Sequence, residues 1–215
     1  MLNRHEVDRH THGNYNCYEI QYPILFASDD VKSTLIVEMT YLQRAYPSEL
    51  READSYIGNF LAEHGGDAAV AFYDLAPFEV QVQTLGRTLI DKVFALCDYY
   101  LGGNMLRNSR HIYDIAKILP KMDMTDRELG TLAKQVRAER KTNKTCLSAK
   151  DGVSVPEILE KIIESSCYER DYVGTTLKLS TKPLPYREAI RALQAIINRG
   201  LFADSISESK EIITK

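Results

Sequence analysis

Few cysteines, no long apolar run and no excess of either charge narrow this sequence before any motif does. Its 215 residues include four cysteines, Cys17, Cys97, Cys146 and Cys167, with no CxxC pair among them. That spacing argues against a zinc ribbon or a disulfide scaffold and fits a reducing cytoplasm. No run approaches the roughly 18–20 apolar residues of a membrane span, so no membrane partner is expected. Residues 1–13 are polar and His-rich, without the apolar core of a secretory signal. The 27 Lys and Arg nearly balance the 30 Asp and Glu, leaving a net charge of −3. This excludes a histone-like basic wrapper but leaves room for a local basic groove. No Walker A loop, GxGxxG, HExxH or GxSxG occurs.

What is present reads as one large or two small globular domains. Tyr18, Ile20, Tyr22 and Ile24 alternate with polar residues as in a half-buried strand, and Pro23 marks an edge position or a strand end. Residues 35–40 are apolar and β-branched and read as a more buried strand, with Asp29-Asp30 as the turn between the two. Phe78, Val80 and Val82 alternate in a third. The stretch 48–62 reads as a helix ended by Gly65-Gly66. From residue 84 onward the apolar period is helical. Helices carry Leu89, Val93, Leu96 and Cys97; then Ile112, Ile115 and Ala116; then Leu129, Leu132 and Val136; then Ile158, Leu159 and Ile162; and last Leu193, Ile196 and Ile197. Thr125 with Glu128 and Ser154 with Glu157 have the form of capping boxes. Strands first and helices after give an α+β class: a small mixed or antiparallel sheet followed by a C-terminal helical bundle. The expected divisions are a partial sheet region over 1–83, a helical region over 84–202 and a polar tail over 203–215. Three strands make a small sheet with edges to manage.

Several residues could carry chemistry. His5, His10 and His12 are three imidazoles in eight residues, read as solvated histidines of a terminus or as a ligand set. Glu38 interrupts an apolar strand, either as a rim carboxylate or aimed into a cleft to hold a cation. Lys92 and Asp114 fall on successive helices joined by a short connection, which are therefore expected as neighbours. By spacing alone Lys92 is a snorkelling surface lysine and Arg110 with Asp114 is an i,i+4 surface pair. Arg137, Arg140, Lys141, Lys144 and Lys150 form a basic stretch suited equally to RNA, phosphate or plain solubility.

Blocks of the sequence in order resemble the nucleotidyl transferase AbiEii/AbiGii toxin family. Residues 84–96, TLGRTLIDKVFAL, resemble its "EKL.AL" helix, and residues 109–115, SRHIYDI, resemble its "RDLYDL" helix. Lys92 falls on the family's functional lysine and Asp114 on the aspartate of its "YD" pair, while His111 stands where the family has the first acidic residue. The strand with Glu38 resembles the family's "vKLEi" strand. The resemblance runs from about residue 14 to 202. It implies a polymerase-β-type nucleotidyltransferase fold that uses Mg²⁺ and NTP. In that scheme Glu38 completes a metal cluster, Lys92 neutralises triphosphate charge and Asp114 orients Lys92 or the nucleotide. Arg87 and Arg110 are further phosphate-binding candidates.

The same resemblance implies a toxin of a toxin–antitoxin or abortive-infection system. Its activity would move nucleotides from NTP to an acceptor such as tRNA, opposed by a cognate antitoxin. The alternative is a non-catalytic protein- or RNA-binding module using the helical half and its basic stretch. One departure stands out. No glycine-rich turn followed by Asp-x-Asp precedes Glu38. The expectation is therefore a C-terminal portion of a family member, catalytically inactive alone, with an open sheet edge available for self-association.

Overall fold

A computed structural model describes residues 2–4, 15–23, 33–40 and 46–202. His5, His10 and His12, Ile24, the Asp29-Asp30 turn and the tail from residue 203 lie outside the described residues. The chain divides into two compact units, 1–44 and 45–215.

The first unit holds an antiparallel sheet of β1 (Leu2–Arg4), β2 (Tyr15–Gln21) and β3 (Thr34–Thr40), in the order β1-β2-β3. β2 is the middle strand, so Pro23 marks a strand end and not an edge position. Cys17 lies opposite Glu38, and Ile20 opposite Leu35. β3 departs from the more buried strand that its sequence predicts. Leu35, Ile36 and Met39 are 54%, 45% and 45% exposed, so β3 is not a buried strand. Its β-branched, apolar character favours pairing in a pleat, and pairing does not require burial on both faces.

The second unit opens with β4 (Ser48–Ala53) and β5 (Phe78–Gln83), an antiparallel pair running from Ser48 opposite Gln83 to Ala53 opposite Phe78. Two corrections follow. β5 pairs with β4 and not with the earlier strands, so the described residues form two small sheets. Residues 48–53, expected as helix, are β4, and the helix of that stretch is only α1 (Tyr56–Glu63). Ser55 caps α1 by accepting the Gly58 N–H at 2.9 Å. A second short helix, α2 (Asp67–Phe72), comes after the left-handed Gly65.

The helical core is built around α3 (Leu85–Leu101). Thr84 caps it, accepting from the Arg87 N–H. Leu89, Ile90, Val93, Phe94, Leu96 and Cys97 are fully buried, because their spacing turns one broad face inward. Against α3 pack α4 (Arg110–Ile118), α5 (Asp126–Lys141), α6 (Val155–Ser165) and the 3-10 turn Leu147–Ala149. Pro120 sits in a 3-10 turn that ends α4. At α5 both capping-box bonds form: the Thr125 N–H donates to Glu128 at 2.7 Å and the Glu128 N–H to the Thr125 hydroxyl. At α6 the Glu157 N–H donates to the Ser154 hydroxyl at 3.4 Å.

An irregular helical segment follows, comprising α7 (Glu169–Asp171), a π-helical stretch over 172–176 and α8 (Leu177–Leu179). α9 (Tyr186–Ala189) and α10 (Arg191–Asn198) complete the bundle, and Gly200 closes it with φ +64. No helix among the described residues is long and apolar enough to cross a membrane. The architecture is the α+β class expected, with small antiparallel sheets and a helical bundle.

Candidate functional site

Lys92 leaves α3 beside the fully buried Val93, and its stem crosses the gap to α4. Its Nζ meets Asp114 Oδ2 at 2.7 Å, with the two side chains 30% and 32% exposed. An ion pair this accessible contributes on the order of 0–1 kcal/mol. It orients the ammonium without locking it, so an incoming anion can compete with Asp114 for it. Arg110 also stands at the start of α4, where its Nη1 donates to the Arg107 carbonyl at 3.0 Å.

His111 follows Arg110. It is 7% exposed, and neither ring nitrogen has a hydrogen-bond partner among the described residues. The imidazole stacks on Tyr99 with centroids 5.5 Å apart and planes 8° from parallel. Burial pushes its pKa down, the Lys92 and Arg110 cations push the same way, and Asp114 only partly opposes them, so it falls to about 4. At neutral pH the ring is therefore uncharged, with one N–H donor and one acceptor.

The start of α4 is fixed from a distance. Asp171 accepts the Arg107 N–H at 2.9 Å and the Ser109 N–H at 3.2 Å. The Ser109 hydroxyl does not cap its own helix and instead pairs with the Thr176 hydroxyl at 2.7 Å. Burial raises the Asp171 pKa, but hydrogen bonds from Ser109 and Arg107 outweigh it and hold the carboxyl below its ordinary value.

Arg87, a phosphate-binding candidate by sequence, lies inside a polar network. It is 1% exposed. Its Nε donates to Asp91 at 2.9 Å, its Nη2 to Glu139 at 2.8 Å and its Nη1 to the Tyr46 carbonyl. Burial alone would lower its pKa, but Glu139 and Asp91 hold it above the ordinary value. The network continues through Arg140, which bonds Asp91 at 3.2 Å and Asp98 at 2.9 Å. Asp98 in turn accepts the Ser148 hydroxyl at 2.6 Å and N–H at 2.7 Å. Arg87 is thus the hub of a buried network joining α3, α5 and the chain before β4, and its guanidinium is not presented to a ligand. The sequence carried a signal for this: Arg87, Asp91 and Asp98 recur at i, i+4 and i+11, along one line of α3.

The basic stretch is likewise turned inward at several points. Arg137 donates to the carbonyls of Ser148, Lys150 and Val153, and Arg140 belongs to the network above. Lys150 Nζ donates to the Lys141 and Asn143 carbonyls at 2.7 Å each. Lys141 pairs with Asp151 at 2.7 Å. Lys144 is exposed.

Glu38 is exposed on β3 in the 1–44 unit. Because Cys17 lies opposite Glu38 and Glu19 opposite Ile36, alternation places Glu19 and Glu38 on one face of that sheet. Among the described residues no three His, Cys, Asp or Glu side chains gather as a metal-binding group. A single carboxylate on β3 does not by itself make a Mg²⁺ site.

No curated protein and no solved structure gives a significant match to the chain. The sequence model described as "Nucleotidyl transferase AbiEii toxin, Type IV TA system" matches residues 2–204. That span is nearly the whole chain, and the chain belongs to the AbiEii family of nucleotidyltransferase toxins from type IV toxin–antitoxin systems.

Proposed function

We propose that this chain contributes triphosphate-facing residues of a nucleotidyltransferase toxin that moves nucleotides from NTP to an acceptor such as tRNA. The observation that carries the reading is the 2.7 Å pair of Lys92 and Asp114 across two packed helices, at the two positions that the sequence resemblance singles out. In this reading Lys92 places its ammonium against the triphosphate. Asp114 holds Lys92 in position before the ligand arrives and yields it when phosphate oxygens compete. Such positioning and charge neutralisation is most of what a protein contributes to phosphoryl chemistry. Arg110, exposed and one turn before Asp114, adds a second cation.

Glu38 would be the third carboxylate holding the divalent ion of the family fold, which would supply Lewis-acid stabilisation of the phosphates. Because the described residues offer no three-group cluster, that ion needs further carboxylates, which the Asp-x-Asp motif supplies in the family. Without that motif the 215 residues bind NTP and do not transfer it. Other expected features belong to the same reading: a cytoplasmic setting, a cognate antitoxin and self-association at the sheet edge. The alternative of an RNA-binding module draws little support from the basic stretch, because Arg137, Arg140 and Lys150 are spent on internal carbonyls and carboxylates.

The test incubates the purified chain with each α-labelled NTP, Mg²⁺ and total tRNA, and measures NTP binding in parallel. Binding should be lost in Lys92→Ala, and no label should reach the RNA. Absence of NTP binding by the wild-type chain would refute the assignment of Lys92. Robust transfer would refute the inactive reading while upholding the enzyme class.

A further inference from the structure

Resting on the phosphate-facing reading of Lys92, we propose that His111 also contacts the ligand: its neutral imidazole donates a ring N–H to the phosphate chain of a nucleoside triphosphate held by Lys92 and Arg110. Three observations converge on it. First, His111 is buried and both ring nitrogens lack a partner. Leaving a buried polar group unpaired is costly, so its persistence calls for a ligand that satisfies it. Second, two cations, the half-exposed Lys92 and the exposed Arg110, stand against one carboxylate, Asp114, among the charges acting on the ring. The local field is therefore positive and favours an anion. That same field disfavours a divalent cation at the His111-x-x-Asp114 pair. Third, the ring lies flat on Tyr99, which fixes its plane and limits which way its nitrogens can point.

Most backbone donors around the start of α4 are already used. The Ser109 and Arg107 N–H groups are already taken by Asp171, and the His111 N–H goes to the Asn108 carbonyl at 3.2 Å. Anion binding there falls mainly to side chains. The Lys92–Asp114 pair, whose charges both act on the ring, is weak and half-exposed, so a phosphate can draw Lys92 away from Asp114.

The experiment uses the whole chain labelled with ¹⁵N and ¹³C in histidine only, so that five residues report. His111 is identified by its loss in His111→Gln. The probes are inorganic tripolyphosphate and ATP. Both should shift the His111 ring signals at neutral pH and raise its titration midpoint, because bound phosphate offsets the neighbouring cations. In calorimetry, His111→Phe should weaken ATP binding roughly tenfold, whereas His111→Gln, which keeps a donor, should stay near wild type. Lys92-dependent ATP binding with unmoved His111 signals and an unchanged affinity in His111→Phe would overturn the proposal and leave the Lys92 reading standing. No binding of either probe by the wild-type chain would overturn both. A His111 response to an RNA oligonucleotide with none to either triphosphate would also overturn it. The ring signals are read on the wild-type chain, so the outcome does not depend on the variants folding.

Discussion

Replacing Arg87 by alanine is the sharpest test of the buried network. The guanidinium makes three hydrogen bonds, to Asp91, Glu139 and the Tyr46 carbonyl, at 1% exposure. Removing one partner of a buried ion pair typically costs about 3–5 kcal/mol, most of it from the charge left behind. Here the carboxylates are not stranded completely. Asp91 keeps Arg140 and Gln83, and the Asp91 and Glu139 side chains are 22% and 41% exposed, so water can reach them. The lower end, about 3 kcal/mol, is expected for Arg87→Ala. With a urea m-value of about 2 kcal/mol/M, the midpoint should fall by roughly 1.5 M. Arg87→Lys should recover only part of this, because one ammonium cannot replace a planar fork serving three acceptors. Urea titration followed by far-UV circular dichroism reads the helical unit directly. A midpoint shift under about 0.3 M for Arg87→Ala would refute the argument that this guanidinium holds α3 to α5.

Two further outcomes are open to simple assays. His111 is held neutral in the fold at a pKa of about 4, below its ordinary 6.5. Unfolding therefore takes up a proton between those values. The stabilisation from a neutral His111 is fully present above pH 6.5, declines as pH falls through the window, and has gone below pH 4. The total is roughly 3 kcal/mol. Urea midpoints of wild type and His111→Phe, compared between pH 7.5 and 4.5, should show a steeper loss in the wild type; equal slopes would count against a buried neutral ring. Thr125→Ala breaks the capping box of α5 and should cost about 1 kcal/mol. Hydrogen exchange should then report fraying confined to the first turn of α5, and protection unchanged there would refute the role of the cap.

The helical half was legible because its faces repeat at i, i+3, i+4 and i+7, and because Thr125 with Glu128 and Gly200 are local signals whose meaning does not depend on distant contacts. β4 was not. Its sequence, Ser-Glu-Leu-Arg-Glu-Ala, is rich in helix formers, and it is a strand because it pairs along its length with β5, a long-range interaction that outweighs propensity. Nothing local announced the π-helical stretch over 172–176. At the site, helical spacing placed Lys92 and Asp114 on neighbouring helices, but only the resemblance singled them out from other surface charges. The enclosure of Arg87 was only partly legible, because Asp91 lies on its own helix but Glu139 lies on another.

The clasp between Asp171 and the start of α4 carries a consequence for how the protein matures. The groups that fix the N-terminus of α4 lie 62 and 64 residues further along the chain than the N–H donors they serve. While the polypeptide is being made, Lys92, Arg110, His111 and Asp114 all emerge well before Asp171 does. Until that aspartate arrives, α4 has no external cap, and the geometry between α4 and α3 is not yet secured. The site is therefore assembled late, by its own C-terminal neighbour. A chain cut short of residue 171 would carry every candidate residue of the helical site and still lack the tie that brings them into register.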